Sequence, residues 1–137
     1  MKKLFLITSL FLMVLGTVEA QEFSSEKHNY VVLSKNIKQL NPVLLTATAL
    51  ADEDGANFGE FFVIICGKTV QNIPNNEDLK HLLQKTKAQN IRVFVCGISL
   101  KKFNIDPNKI PNTMELTENG ILYGFQLAKQ GFITLTI

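Results

Sequence analysis

The sequence predicts an α/β protein: a single three-layer α/β/α domain with a mainly parallel five-stranded sheet. Three observations lead there. Short β-favouring apolar runs alternate with segments whose apolar residues recur at helical spacing, the order expected of strand–helix–strand units. Two of the runs, Phe61 to Cys66 and Val93 to Cys96, are apolar throughout, as strands buried on both faces must be. The stretch after residue 20 holds 117 of the 137 residues, enough for one core but not two.

Residues 1–20 are expected to be a secretory signal peptide rather than part of the fold. Lys2 and Lys3 form a basic start, Leu4 to Val18 is an uncharged, mainly apolar run, and Val18-Glu19-Ala20 supplies the small residue needed at a cleavage point. That run is shorter than the ~20 residues that span a bilayer. No cysteine follows it to carry a lipid, so the expected product is an exported chain, periplasmic or secreted, with no membrane attachment after cleavage. Loss of Lys2, Lys3 and Glu19 lowers the formal charge from +2 to +1. With Arg92 the only arginine and the lysines scattered, nothing resembles a nucleic-acid footprint.

Residues 21–28 read as a flexible polar arm and 29–137 as the domain. Tyr30 to Ser34 is the first strand. A turn from Asn36 precedes a helix that starts at Asn41-Pro42, because proline suits a first helical turn and disrupts an interior one. Val43, Leu44, Ala47, Leu50 and Ala51 form its inner face, and Gly55 stops it. Glu60 to Cys66 is the second strand, followed by an irregular loop from Gly67 to Asn76. Asn76 caps the next helix, with Glu77 and Asp78 at its positive end and Leu79, Leu82, Leu83 and Thr86 turned inward.

The third strand starts at Ile91 and ends at Cys96, and a short turn over Ser99 to Phe103 follows. Pro107 and Pro111 keep the next stretch a loop. Thr113 to Leu116 reads as the fourth strand. A last helix is expected from Thr117 to Gln130, with Ile121, Leu122, Phe125 and Ala128 inward and Gly131 closing it. Phe132 to Thr136 is the fifth strand.

Several ligand motifs fail on spacing. An EF-hand loop begun at Asp52 would place Ala56, Asn57 and Val63 where an oxygen ligand, a glycine and a glutamate are needed. Gly67-Lys68-Thr69 has the tail of a phosphate-binding loop, but its first glycine would fall at Phe62. His28, His81 and the cysteines share no metal-ligand spacing. No metal or cofactor is expected.

What remains is cysteine chemistry. Cys66 and Cys96 each end an apolar run and precede a glycine, so parallel pairing would set both sulfurs on the carboxyl edge of the sheet, where α/β proteins place their ligands. Cys96 is the candidate catalytic thiol and Cys66 the candidate second thiol. Gly97, Ile98 and Ser99 would supply close backbone approach and N–H groups to a thiolate, Lys101 and Lys102 a positive field, and Gly67 and Lys68 the wall of a pocket.

Val63-Ile64-Ile65-Cys66-Gly67, Val95-Cys96-Gly97-Ile98-Ser99-Leu100-Lys101-Lys102 and Gln126-Leu127-Ala128-Lys129-Gln130-Gly131-Phe132-Ile133 together resemble the DsrE/DsrF-like sulfur-relay family, which includes the TusD-type proteins of tRNA thiolation. The resemblance covers about Asn29 to Ile137. It implies the YchN-like α/β/α fold with five parallel strands, assembly as a homotrimer or homohexamer, and a persulfide on the residue that matches the family's cysteine, Cys96. Relay members often carry an arginine and a glycine after the cysteine turn, where this chain has Phe103 and Asn104.

Two functions are therefore expected of this chain. The first is an extracytoplasmic sulfur carrier or sulfurtransferase, exchanging sulfane sulfur with an unnamed donor or acceptor protein or small thiol through Cys96. The alternative is a non-catalytic, exported, oligomeric binding module in which Cys66 and Cys96 form a structural or redox disulfide. A structural bridge closing about thirty residues would add about 3–4 kcal/mol in the chain-entropy account.

Overall fold

Apolar β-branched and aromatic runs of five to eight residues, too short for core helices, become the central strands. The computed structural model describes residues 27–137. The signal expected over 1–20 and nearly all of the arm expected over 21–28 lie outside them.

The chain runs β1 (His28–Ser34), α1 (Leu40–Asp54), β2 (Phe58–Ile65), α2 (Glu77–Ala88), β3 (Arg92–Cys96), α3 (Gly97–Lys102), β4 (Glu115–Thr117), α4 (Gly120–Lys129) and β5 (Ile133–Thr136). All strand pairs are parallel, in the order β4-β3-β2-β1-β5, so the α/β class and the five-stranded sheet are as expected. The Asn36 side chain accepts from Lys38 N–H and starts a short 3₁₀ turn ahead of α1. Asn76 caps α2 as read, accepting from the N–H of Leu79 at 2.9 Å.

Strand order explains the layering. From β1 to β4 the chain advances one way across the sheet, and its crossovers lay α1, α2 and α3 on one face through Leu40, Val43, Leu44, Leu79, Leu83 and Leu100. From β4 to β5 it returns the other way, so a crossover of the same right hand lays α4 on the opposite face. There α4 covers Val31, Phe62, Ile64, Phe94 and both cysteines. A ten-residue helix is the only helical cover of that face among the described residues.

The inner side of α4 differs from the expected one. Gly120, Tyr123, Gly124 and Leu127 face the sheet, whereas Ile121, Leu122, Phe125 and Ala128 are exposed. The helix must bring its first turn against two cysteines and Ile64, and only glycine fits: a Cβ on Gly120 would lie 2.7 Å from Cys66 Sγ and 2.8 Å from Ile64 Cγ2. That close approach fixes the rotation of the helix and turns its bulkier stripe outward. The cap also moves, from the expected Thr117 to Asn119, whose side chain accepts from Leu122 N–H at 3.1 Å. Thr117 instead ends β4, which runs from Glu115 rather than Thr113.

At the far, amino end of the sheet, Arg92 is held in a bidentate pair with Glu115 at 2.7 and 2.6 Å. Its guanidinium also lies 4.7 Å from the centre of Phe62 and 4.9 Å from that of Phe94, which pins β3 to β4 away from the cysteines.

Candidate functional site

Register brings the two cysteines together. Ile65 pairs with Val95, so Cys66 and Cys96 are the next residues along neighbouring parallel strands. Both side chains lie on the α4 face, among Phe62, Ile64 and Phe94. Both are free thiols, with 5% of Cys66 and 3% of Cys96 exposed. The partial exposure expected of a reactive cysteine is absent because the first turn of α4 closes over the pair.

Cys96 ends β3 and forms the N-cap of α3. Its sulfur accepts the backbone N–H of Gly120 at 3.3 Å. Burial pushes the Cys96 thiol up, but hydrogen bonds from the Ser99 hydroxyl, from the N–H groups of Gly120 and Ser99, and from the Cys66 thiol outweigh it. The net effect holds Cys96 below the ordinary thiol range, so the surroundings are built for an anion on this sulfur. The Ser99 oxygen in turn accepts the Gly67 N–H at 2.8 Å, which fixes the hydroxyl between the two Cys-Gly corners.

Cys66 is pushed the other way, up to about 12, by burial first, then by the charge of Cys96 and by the hydrogen bond its own thiol gives to Cys96; Lys35 opposes these. The pair therefore divides its roles. Cys96 is the sulfur that ionises, and Cys66 is the thiol that keeps its proton.

The other residues singled out in the sequence have mixed parts. Gly97 admits the β4–α4 turn, since a Cβ there would lie 3.1 Å from the Glu118 carbonyl oxygen. Ile98 does not serve the thiolate: its N–H donates to that same carbonyl at 3.0 Å. Gly67 adopts a left-handed φ of 77°, turning its N–H to Ser99, and Lys68 is exposed at the start of a 3₁₀ turn. Lys101 and Lys102 are also exposed and are not among the principal groups acting on Cys96; the Lys102 ammonium sits over the Phe103 ring.

Gly120, Asn119 and Lys35 also shape the site. Asn119-Gly120 ahead of the apolar Ile121-Leu122 is itself a helix-start signal, and Lys35 directly follows a strand that ends at the cysteine edge.

A depression of about 420 Å³ flanks this corner, lined by Ile98, Thr117, Glu118, Asn119, Leu122 and Tyr123. These residues lie on both sides of Gly120 in the chain, and Gly120 itself packs directly on the two cysteine side chains. Among the described residues no group of three or more His, Cys, Asp or Glu side chains is placed to hold a metal ion. Nor is any helix among them long and apolar enough to cross a membrane.

Comparison with known proteins bears on the fold and the family. No curated protein matches the chain. The protein of unknown function MTH1491 from Methanobacterium thermoautotrophicum superposes with a TM-score of 0.61 at 14% identity, over 80% of this chain and 99% of that one. The conserved protein of unknown function BT1422 from Bacteroides thetaiotaomicron does so with a TM-score of 0.60 at 17% identity, over 80% of this chain and 95% of that one. At such identities the likeness shows a shared fold. The DsrE/DsrF-like family matches residues 31–135, from the first strand to the last and across both cysteines, and the chain belongs to that family.

Proposed function

We propose that this protein is an exported sulfur carrier in which Cys96 takes up sulfane sulfur as a persulfide and passes it on. Membership of the DsrE/DsrF-like family supports a general sulfur-carrier role. The observation that carries the finer reading is the ring of donors around Cys96 Sγ: the Ser99 hydroxyl, the Gly120 and Ser99 N–H groups and the Cys66 thiol. The Cys96 thiolate attacks the outer sulfur of a donor persulfide, a new S–S bond forms on Cys96, and the donor leaves as its thiolate. Delivery is the same exchange in reverse, with an acceptor thiolate attacking the outer sulfur.

Entry is through the depression beside α4, by displacement of the turn that ends in Gly120. Export rests on the basic, apolar and small-residue order of residues 1–20. Self-association is supported by a groove of about 200 Å³ between α4 and the edge strand β5, where Leu33, Ile121, Phe125, Ala128 and Leu135 are gathered.

The test is brief exposure of the purified protein to glutathione persulfide, followed by an alkylating quench and intact mass. One added sulfur localised to Cys96 in a Cys66→Ala background, and either that sulfur or the sulfide released from it in wild type, both absent from Cys96→Ser, is the expected result. The reading is overturned by a wild-type protein that yields neither an added sulfur nor sulfide, or by a Cys96→Ser variant that gains as much sulfur.

A further inference from the structure

We propose that Cys66 is a resolving thiol: it attacks the inner sulfur of a Cys96 persulfide, forms a Cys66–Cys96 disulfide and expels sulfide. The inference rests on the persulfide reading of Cys96 and gives that site a second outcome, reduction of the sulfur instead of its transfer.

Placement carries the argument. The cysteines occupy matching positions on adjacent parallel strands and point to the same face. Neighbouring strands lie ~4.8 Å apart. That falls inside the span of about 4.4–6.8 Å between α-carbons that a disulfide tolerates. One point above Gly120, where its Cβ would be, is 2.7 Å from Cys66 Sγ and 3.1 Å from Cys96 Cβ, so the two side chains converge under the same glycine. Each thiol acts on the protonation of the other, as neighbouring sulfurs do. Among the described residues no group of metal-ligating side chains includes Cys66, and both cysteines are buried.

The closed site favours this outcome. A protein or small-thiol acceptor has to enter beside α4, whereas Cys66 is in contact before anything opens. The step balances without a further reactant: Cys66–SH and Cys96–S–S⁻ give the disulfide and HS⁻. The S–S bond of the persulfide breaks, the bond between the cysteine sulfurs forms, and the Cys66 proton leaves on the expelled sulfur. The sulfane sulfur gains two electrons and each cysteine sulfur gives up one. Cys66 is held as a thiol at neutral pH, so it first gives its proton to the outer sulfur of the persulfide anion beside it, and the Cys66 thiolate so formed attacks the inner sulfur and displaces HS⁻. A dithiol reductant would return the disulfide to the starting pair.

The experiment loads wild-type, Cys66→Ala and Cys66→Ser proteins with glutathione persulfide, removes the donor by anaerobic gel filtration, and then follows released sulfide, free thiols and intact mass. Wild-type protein is expected to release one sulfide per loaded chain while losing both thiols and becoming lighter by two hydrogens than the unloaded protein. Both variants are expected to keep the added sulfur on Cys96 and release none. Wild-type protein that holds its added sulfur with Cys66 still free overturns the resolving role and leaves the carrier reading standing. Sulfide release from both variants at the wild-type rate does the same. If no protein, variant or wild type, gains sulfur at Cys96 or yields sulfide, both readings fall together.

Discussion

Gly120 donates its backbone N–H to Cys96 Sγ at 3.3 Å, while the position a Cβ would take on it lies 2.7 Å from Cys66 Sγ. One residue thus serves as a donor to the ionising sulfur and as a cover over both. A methyl group cannot be added without moving the helix, because Ile64 Cγ2 would also lie within 2.8 Å of it. Overpacking of this kind costs about 1–3 kcal/mol. Gly120→Ala is expected to lower the thermal midpoint and, by lifting the first turn of α4, to raise alkylation of the cysteines under native conditions. Unchanged stability together with unchanged alkylation would show that α4 does not press on this pair.

Ser99 links the two Cys-Gly corners, accepting from Gly67 N–H at 2.8 Å and donating to the Cys96 sulfur. Ser99→Ala removes both bonds and leaves a part-buried N–H without its acceptor, a loss of about 1–3 kcal/mol. The sign for Cys96 follows: with a donor to its thiolate gone and burial still disfavouring charge, its pKa rises. Thiolate absorbance followed against pH in the Cys66→Ala background should show the Cys96 transition move upward in Ser99→Ala. A transition that stays in place would mean the hydroxyl does not stabilise the anion.

Much of the fold was legible because its signals are local. Pro42 set the start of α1, Gly55 its end and Asn76 the start of α2, and the continuous apolar runs marked β2 and β3 as central strands. Periodicity failed on α4. Its sequence carries two apolar stripes, and the larger one, Ile121, Leu122 and Phe125, is the exposed one. What selected the smaller stripe was the need for a glycine against Cys66, Ile64 and Cys96, a constraint set by residues more than twenty positions away. The pairing of the cysteines followed from two Cys-Gly corners and parallel strands. Their burial did not, because it depends on a crossover that brings α4 back over the strand ends. For the same reason Ile98 N–H, free in a local reading, is used by Glu118.

The raised pKa of Cys66 makes stability fall at high pH. Below its ordinary value of 9.0 the thiol is protonated whether the chain is folded or not, and the group adds no pH dependence. Between 9.0 and about 12 the unfolded chain releases the proton and the folded chain keeps it, so unfolding becomes easier as pH rises. The slope from one such group is at most about 1.4 kcal/mol per pH unit. Tyr30, whose hydroxyl donates to Asp54 at 2.6 Å, is likewise raised from 10.0 to about 12 and adds to the fall in the upper part of the window. Denaturant midpoints measured from pH 8 upward should decline in wild type. The decline should be shallower in Cys66→Ala, and equal declines would place the alkaline effect elsewhere.

The outward stripe of α4 is the face on which the proposed self-association rests. With Gly120 and Gly124 turned to the sheet, the helix lies close to its strands, and Phe125 projects outward with 66% of its surface exposed. Beside it runs β5, an edge strand whose Leu135 is also exposed and whose outer backbone edge has no neighbour among the described residues. Scattered apolar residues are ordinary on a monomer, but a continuous apolar groove marks an interface. On the proposed self-association a second copy of the chain would cover this stripe, since Ile121, Leu122 and Phe125 carry no charge and can pack on their own kind. Phe125→Glu would bury a carboxylate in that contact, whereas in an isolated chain the side chain points to water and the substitution should leave the core intact. Light scattering at micromolar concentration is expected to show an oligomer for wild type and a monomer for Phe125→Glu, with near-wild-type circular dichroism for both. A monomeric wild type, or an oligomer unaffected by the glutamate, would remove this face from the assembly.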